Sequence, residues 1–227
     1  MISIIIPVFN EEKQILNLLS HLREISAGKI QEIIVVDGGS NDTTATILAS
    51  QENIVFLKSE KGRAKQMNAG AAVAKAPILY FLHADSYPPV NFDSLILKEI
   101  SKGNKSGCFR TKFDHKHWWL TIMGQLTRIN HKFCRGGDQS LFVGKDLFKK
   151  MGGFNEAYSI YEDNEFISRL YQKKQFVVIQ DWITTSARLY EKMGIWKAQY
   201  LHFQIYWKKW RGAGPEELHR HYRSKVI

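Results

Sequence analysis

Cysteine is scarce. The 227 residues hold two, Cys108 and Cys134, 26 positions apart and without metal-type spacing. A disulfide scaffold and a zinc site are therefore not expected, and free buried thiols in a reducing compartment are. Long apolar runs are missing too; none approaches the ~20 residues that span a bilayer. Met1 to Pro7 has neither a basic lead nor a long apolar stretch, so it does not read as a secretion signal. Pro/Gly linkers, repeats and low-complexity tracts are lacking, which predicts a single domain over 1–227. Acids are in short supply, 22 against 32 Lys and Arg, for a net charge of +10. Such a surface favours an anionic partner: nucleic acid, an anionic membrane face or a phosphorylated substrate. What is present is an ordinary globular balance, 44% hydrophobic and 24% charged, enough to form a core without staples. The expected location is cytoplasmic, with at most a peripheral membrane contact.

Two periods alternate through the first hundred residues. Short β-branched runs at Ile2–Val8, Ile33–Val36, Ile54–Leu57 and Ile78–Leu82 read as buried strands. Between them, Glu12–Ile25 carries Ile15, Leu18, Leu19, Leu22 and Ile25 on one helical face. Asp42 can cap a helix to about Ser50, and Arg63–Ala74 is Ala-rich and helical. This alternation predicts an α/β fold: a mostly parallel central sheet with helices on both faces. Beyond about residue 105 the pattern loosens. Cys108–Phe113 alternates like a half-exposed strand, Trp118–Ile129 reads as helical, and Ser140–Val143 as a strand. Asp163–Tyr171 starts a helix; Phe176–Ile179 and Ile183–Ser186 read as two short strands. The expected layout is a first half over about 1–104, a second over about 105–190, and an aromatic-basic helical tail over about 191–227.

In such sheets ligands bind beyond the carboxyl ends of the strands. Three strands end in polar clusters: Phe9-Asn10-Glu11-Glu12, Asp37-Gly38-Gly39-Ser40 and His83-Ala84-Asp85-Ser86. The first turn has no glycine and no P-loop exists, so a dinucleotide cradle is disfavoured. Arg63 and Lys65 open a helix after Gly62, which reads either as an anion site or as a turn with solvated charges. Asp37 reads either as a turn cap or as a ligand contact. Glu162 and Asp163 read either as helix N-terminal charge or as a general base beside a partner carboxylate. Gly137-Asp138-Gln139 is a turn or a loop that presents Asp138 to substrate.

Taken together, Ile4–Glu12, Val35–Thr44, Leu82–Ser86 and Tyr161–Asp163 resemble a family 2 glycosyltransferase of GT-A fold. More narrowly they resemble a bacterial subgroup with a G-R-A-x-Q-M-N-x-G-A segment, here Gly62 to Ala71, before an L-H-A-D strand end. The same subgroup carries the G-D-Q loop, the helix from Glu162 to Leu170 and a T-S-A-R segment at Thr185–Arg188. The resemblance implies a Rossmann-like sheet with a small acceptor-side subregion. It implies inverting transfer from a nucleoside-diphosphate sugar to a hydroxyl acceptor, with Asp163 as base beside Glu162, and with Asp85 on Mg²⁺ or Mn²⁺. Donor contacts would come from Pro7, Phe9, Asn10, Glu11, Asp37, Gly39, Asn68, His83 and Ala84. Arg63, Lys65 and Arg188 are added as cations for the diphosphate. Acceptor contacts would come from Gly137, Asp138 and Gln139.

Two departures stand out. Gly38 replaces a common second acid, which bears on the base, and His83 replaces the first acid of the D-x-D element. The competing readings are a non-catalytic nucleic-acid- or anion-binding protein and a sugar nucleotidyltransferase. Neither has its usual motif, and no nucleic-acid partner is expected. In the tail, Tyr200, Phe203, Tyr206, Trp207 and Trp210 recur at helical spacing beside Lys208, Lys209 and Arg211. This stripe reads first as core packing, and second as a peripheral contact with an anionic membrane that would present a lipid-linked acceptor.

Overall fold

The computed structural model describes residues 1–136 and 139–226. The first half runs β1 (Ile2–Val8), α1 (Ile15–Ile25), β2 (Ile30–Asp37), α2 (Thr44–Ala49), β3 (Val55–Lys58), α3 (Arg63–Val73), β4 (Ile78–Phe81), β5 (Ser86–Tyr87) and α4 (Phe92–Ser101). The second runs β6 (Ser106–Phe113), α5 (Trp118–Leu126), a 3₁₀ turn at Lys132–Cys134, β7 (Leu141–Gly144), α6 (Lys145–Lys150), α7 (Glu162–Tyr171), β8 (Phe176–Thr185), α8 (Arg188–Met193), α9 (Ile195–Trp210) and α10 (Pro215–Val226).

One eight-stranded sheet has the order β3-β2-β1-β4-β7-β6-β8-β5. The pairs β1–β2, β1–β4, β2–β3 and β6–β8 are parallel; β4–β7, β6–β7 and β5–β8 are antiparallel. Successive residues of β1 point to opposite faces. Ile4, Ile6 and Val8 join Leu18, Leu22, Phe92 and Ile96 in a core under α1 and α4. Ile5 joins Ile34, Val36, Met67, Phe148 and Phe166 in a second core under α3, α6 and α7. Both faces are thus apolar, which is why β1 reads as a continuous hydrophobic run. Helix α3 approaches so closely that a Cβ on Gly70 would lie 2.5 Å from Ile5 Cγ2.

The strand from Cys108 is half-exposed only in its second part: β6 lies inside the sheet between β7 and β8, Cys108, Phe109 and Thr111 are buried, Arg110 and Phe113 are partly buried and Lys112 is exposed. Two expectations are corrected. The two short strands near 180 are one, β8; its register shifts where Phe109 pairs with Ile179 but Arg110 with Trp182, so the polar pair Gln180-Asp181 interrupts the pattern and not the strand. The aromatic stripe of α9 faces outward. Ala198, Leu201 and Ile205 hold the helix to the core, while Tyr200, Phe203, Trp207 and Trp210 are exposed. Cys108 is buried and Cys134 only half-buried; both are free thiols.

Candidate active site

The strand order reverses between β1 and β4, so their carboxyl ends splay apart and open a crevice there. The turn after β1 starts at Asn10, which is left-handed at φ 57°. Asn10 is latched to the turn after β2: its amide donates to Ser40 Oγ (2.9 Å) and its Oδ1 accepts from the Asn41 amide (2.9 Å). The Asp37 carboxylate, buried at the end of β2, accepts from the amides of Gly39 and Ser40 (3.2 Å each) and from the Ser40 hydroxyl. Of its two readings, the turn cap is the one its hydrogen bonds describe. Gly39 follows at φ 84°.

Gln66 ties these ends together. Its buried amide donates to the carbonyls of Val8 (2.7 Å) and Val36 (2.8 Å). A Cβ on Gly38 would stand 2.9 Å from the Gln66 carboxamide. The absence of a side chain at Gly38 is thus matched to the glutamine packed against it. Sequence reasoning missed Gln66; the available signal was one polar residue among Ala64, Met67, Gly70 and Ala71 on the buried side of α3.

A cavity of about 240 Å³ fills the crevice, lined by Pro7, Val8, Phe9, Glu11, Arg63, Gln66, His83, Ala84, Asp85 and Arg188. Arg188 arrives from the far end of the chain because β5 pairs with β8, Ser86 opposite Thr185. The Ser186 amide also donates to the Asp85 carbonyl (3.2 Å). The Arg188 guanidinium donates two bonds to Glu11 (3.0 Å each) and one to Asp85 Oδ2 (2.9 Å). Its hydrogen bond to Glu11 leads in holding the guanidinium above its ordinary pKa; Asp85 adds to this, against the effect of burial. A bidentate cation bridging two carboxylates is a rigid arrangement.

The first turn of α7 adds Glu162 and Asp163, both buried. Arg63 Nε lies 2.6 Å from Glu162 Oε1, and His83 Nε2 lies 3.7 Å from Asp163 Oδ2. His83 is thus turned toward Asp163.

Eight of the expected residues, Pro7, Phe9, Glu11, Arg63, His83, Ala84, Asp85 and Arg188, share this cavity. Asn10, Asp37 and Gly39 shape its turns without lining it. Two expectations are corrected. Lys65 pairs with Glu60, which raises the lysine pKa and lowers that of the acid. Asn68 clamps the chain near residue 154, donating to the Phe154 carbonyl (2.9 Å) and accepting from its amide (3.0 Å). Neither lines the crevice.

A second cavity of about 680 Å³ adjoins it, with Arg63 on the wall of both. Thr111 and Phe113 of β6, Met123 and Leu126 of α5, Tyr161 and Asn164 at the start of α7, and Phe203 and Tyr206 of α9 line it. Gln139 lines it too, donating to the Cys134 carbonyl (3.2 Å). Gly137 and Asp138 lie outside the described residues. The Tyr206 hydroxyl donates to the Arg135 carbonyl (2.9 Å) and to Asn164 Oδ1 (3.1 Å), joining α9 to α7.

Among the described residues no cluster of three or more His, Cys, Asp or Glu can cage a metal ion. Asp85 and Glu11 are hard oxygen donors on one cavity. Both are bonded to Arg188 here; released from it, they would be a donor set of the kind that holds Mg²⁺ or Mn²⁺ by one or two carboxylates together with substrate phosphates. No helix among the described residues is long and apolar enough to cross a membrane.

Residues 3–149 match the family described as glycosyl transferase family 2. An uncharacterized glycosyltransferase of Mycobacterium tuberculosis is 29% identical over 150 residues, which is 63% of this chain and 57% of that protein. The chain thus spans less than two thirds of that relative's length. Among solved structures, S. aureus TarS 1–349 in complex with UDP is similar at TM-score 0.69 and 19% identity, over 82% of this chain and 60% of that one. The mannosyltransferase PcManGT from Pyrobaculum calidifontis, in complex with GDP-Man and Mn²⁺, is similar at TM-score 0.66 and 16% identity, over 94% and 65%. At those identities the likeness is one of fold. The matched family segment begins in β1, carries the whole strand-end crevice except Arg188 and the α7 carboxylates, and covers well over half of the chain: this protein belongs to glycosyl transferase family 2, with a GT-A fold.

Proposed function

We propose that this chain is an inverting glycosyltransferase that moves a sugar from a nucleoside-diphosphate sugar to the hydroxyl of an acceptor. What supports the reading is the meeting of Asp85, Arg188, Arg63 and His83 on one small cavity, with Asp163 beside His83. On this reading the chain is one domain, with the donor half at about 1–104 and the acceptor half at about 105–190. Pro7, Phe9 and Ala84 wall the nucleotide; Arg63 and Arg188 face its diphosphate.

The acceptor oxygen attacks the anomeric carbon on the face opposite the diphosphate. Its proton passes to Asp163 as the new carbon–oxygen bond forms. The bond from the anomeric carbon to the phosphate oxygen breaks, and its electron pair leaves with the nucleoside diphosphate. A hydroxyl is a poor nucleophile, and a positioned base contributes about 10²–10⁴-fold. Negative charge grows on the diphosphate, where preorganised guanidiniums stabilise it. Asp85, with Glu11 near it, would hold Mg²⁺ or Mn²⁺, which when bound offsets the same charge. Glu162 holds Arg63 through their ion pair.

A thermal-shift screen tests this reading: nucleoside diphosphates and sugar nucleotides with and without Mn²⁺, against oligonucleotides. Stabilisation by one sugar nucleotide, enhanced by Mn²⁺, is expected. Stabilisation by oligonucleotides alone would sink the reading in favour of a nucleic-acid-binding protein.

A further inference from the structure

We propose that the larger cavity takes the apolar chain of a lipid acceptor, and that α5 and α9 lie on the anionic bilayer from which it enters; the acceptor role rests on the transferase reading above. The first observation is the rim of the cavity. Leu126, Phe133 and Phe203 line it and yet are 42%, 74% and 61% exposed. Apolar side chains that both wall a cavity and face solvent stand at its mouth.

The second is the surface around that mouth. On α5, Trp118, Ile122 and Leu126 recur every four residues, and all three are exposed. On α9, Trp196, Tyr200, Phe203 and Trp207 recur at helical spacing and are exposed as well. The two stripes touch, with the Trp118 and Trp196 ring centroids 6.0 Å apart. Five of the six tryptophans lie in residues 115–136 and 194–211. A monomer rarely exposes so continuous an apolar patch without a partner, and tryptophan and tyrosine are the side chains that sit at a membrane–water boundary.

The third is charge. The same two segments hold eight Lys and Arg and no Asp or Glu. One of them, Arg135, is buried, its guanidinium donating to the carbonyls of Thr127 and Ile129. Lys116, Arg128, Lys132, Lys197 and Arg211 are exposed. Aromatic side chains interleaved with cations and free of acids complement an anionic lipid surface. A protein partner would need no cavity behind its contact. This surface has one of about 680 Å³, within the range of ligand sites, and the cavity reaches Tyr161 and Asn164 on either side of Glu162 and Asp163. An amphipathic molecule entering from the bilayer would keep its chain in the aromatic part and bring its polar end to the base.

The test is sedimentation with vesicles of phosphatidylcholine, with and without phosphatidylglycerol, and quenching of tryptophan fluorescence by brominated acyl chains in the same vesicles. Binding to the phosphatidylglycerol vesicles at low salt is expected, with quenching, and with weakening in ~1 M salt, where the Debye length falls to about 3 Å. Trp118→Ser and Trp196→Ser, both at exposed positions outside the cavity, should each weaken partitioning about tenfold while leaving the melting temperature and nucleoside-diphosphate binding as in the parent chain. No binding at low salt, or binding without quenching, would overturn the docking. Vesicle binding by a protein that binds no nucleoside diphosphate would overturn the acceptor role while the docking stood.

Discussion

The smaller cavity carries two guanidiniums, two carboxylates and an imidazole; the larger is richer in aromatic and aliphatic side chains, with polar groups such as Thr111, Gln139, Asn164 and His202 among them. They meet at Arg63. The smaller, Arg188 apart, is built by local sequence. Its other residues end or follow β1 and β4 or lie in the first turn of α3, and the neighbouring turn is fixed by short-range bonds such as Asp37 to Ser40. The larger is assembled from β6, α5, α7 and α9, whose side chains lie far apart in the chain. A charged crevice at strand ends suits a diphosphate, and a broad aromatic chamber suits a different molecule. On the proposed function, the difference would make donor and acceptor recognition separate physical problems handled on adjoining surfaces.

The sharpest way to break this division is at the base. Asp163→Asn should lower transfer by about 10²–10⁴-fold and leave donor affinity nearly unchanged; steady-state rates beside calorimetric donor binding check both. If donor affinity falls as far as the rate, Asp163 belongs to the donor cavity.

Next comes the claim that the donor half is held by polar bonds. Asp93, buried at the start of α4, accepts from Ser26 Oγ (2.6 Å) and the amides of Ala27 (3.0 Å), Lys29 (2.8 Å) and Ser94 (2.9 Å). Burial works to raise its pKa, and these bonds outweigh it, so the folded value is lowered below 3.8. Its contribution is therefore complete above the unfolded value and is lost as pH falls through the lower folded one. Asp93→Ala should cost about 3 kcal/mol near neutral pH by stranding buried donors. It should also flatten the acid limb of stability, read by urea melts from pH 7 downward.

A smaller effect sharpens the account of the donor turn. Gly38→Asp should cost about 2 kcal/mol, because its Cβ displaces the Gln66 carboxamide from two carbonyls. Gln66→Ala in the same chain should recover part of that loss, and a double-mutant cycle in thermal melts measures the coupling. The smallest effect is on the outward face of α9. Trp210→Ser should change stability by no more than about 0.5 kcal/mol, since the side chain is 81% exposed; a larger loss would mean that the tail does pack inward.

The parallel half, and most residues of the crevice at the strand ends, were legible in the sequence, because period, strand ends and turn residues are local signals. It did not carry α4, whose start is a left-handed Asn91 after two prolines, or the break between α8 and α9 at a single Gly194. It split β8 in two and did not place β6 inside the sheet, since a strand's neighbours are set by the sheet order and not by its own alternation. It placed Lys65 and Asn68 in the donor site because they share a motif with Arg63, although a helix turns their side chains elsewhere. The direction of the α9 stripe was hidden for a related reason. Periodicity says which residues share a face, and only the fold says that Ala198, Leu201 and Ile205 provide the face that packs.

The division of labour between the two cavities is tested most directly by calorimetric titration of UDP and GDP, each with Mn²⁺, into the parent chain, Arg188→Ala and Phe203→Ser. The account predicts that one nucleotide binds the parent. It predicts that Arg188→Ala weakens that binding about 10- to 100-fold, by loss of charge-assisted hydrogen bonds, and that Phe203→Ser leaves it unchanged. Equal losses in the two variants, or no binding of either nucleotide by the parent, would contradict it.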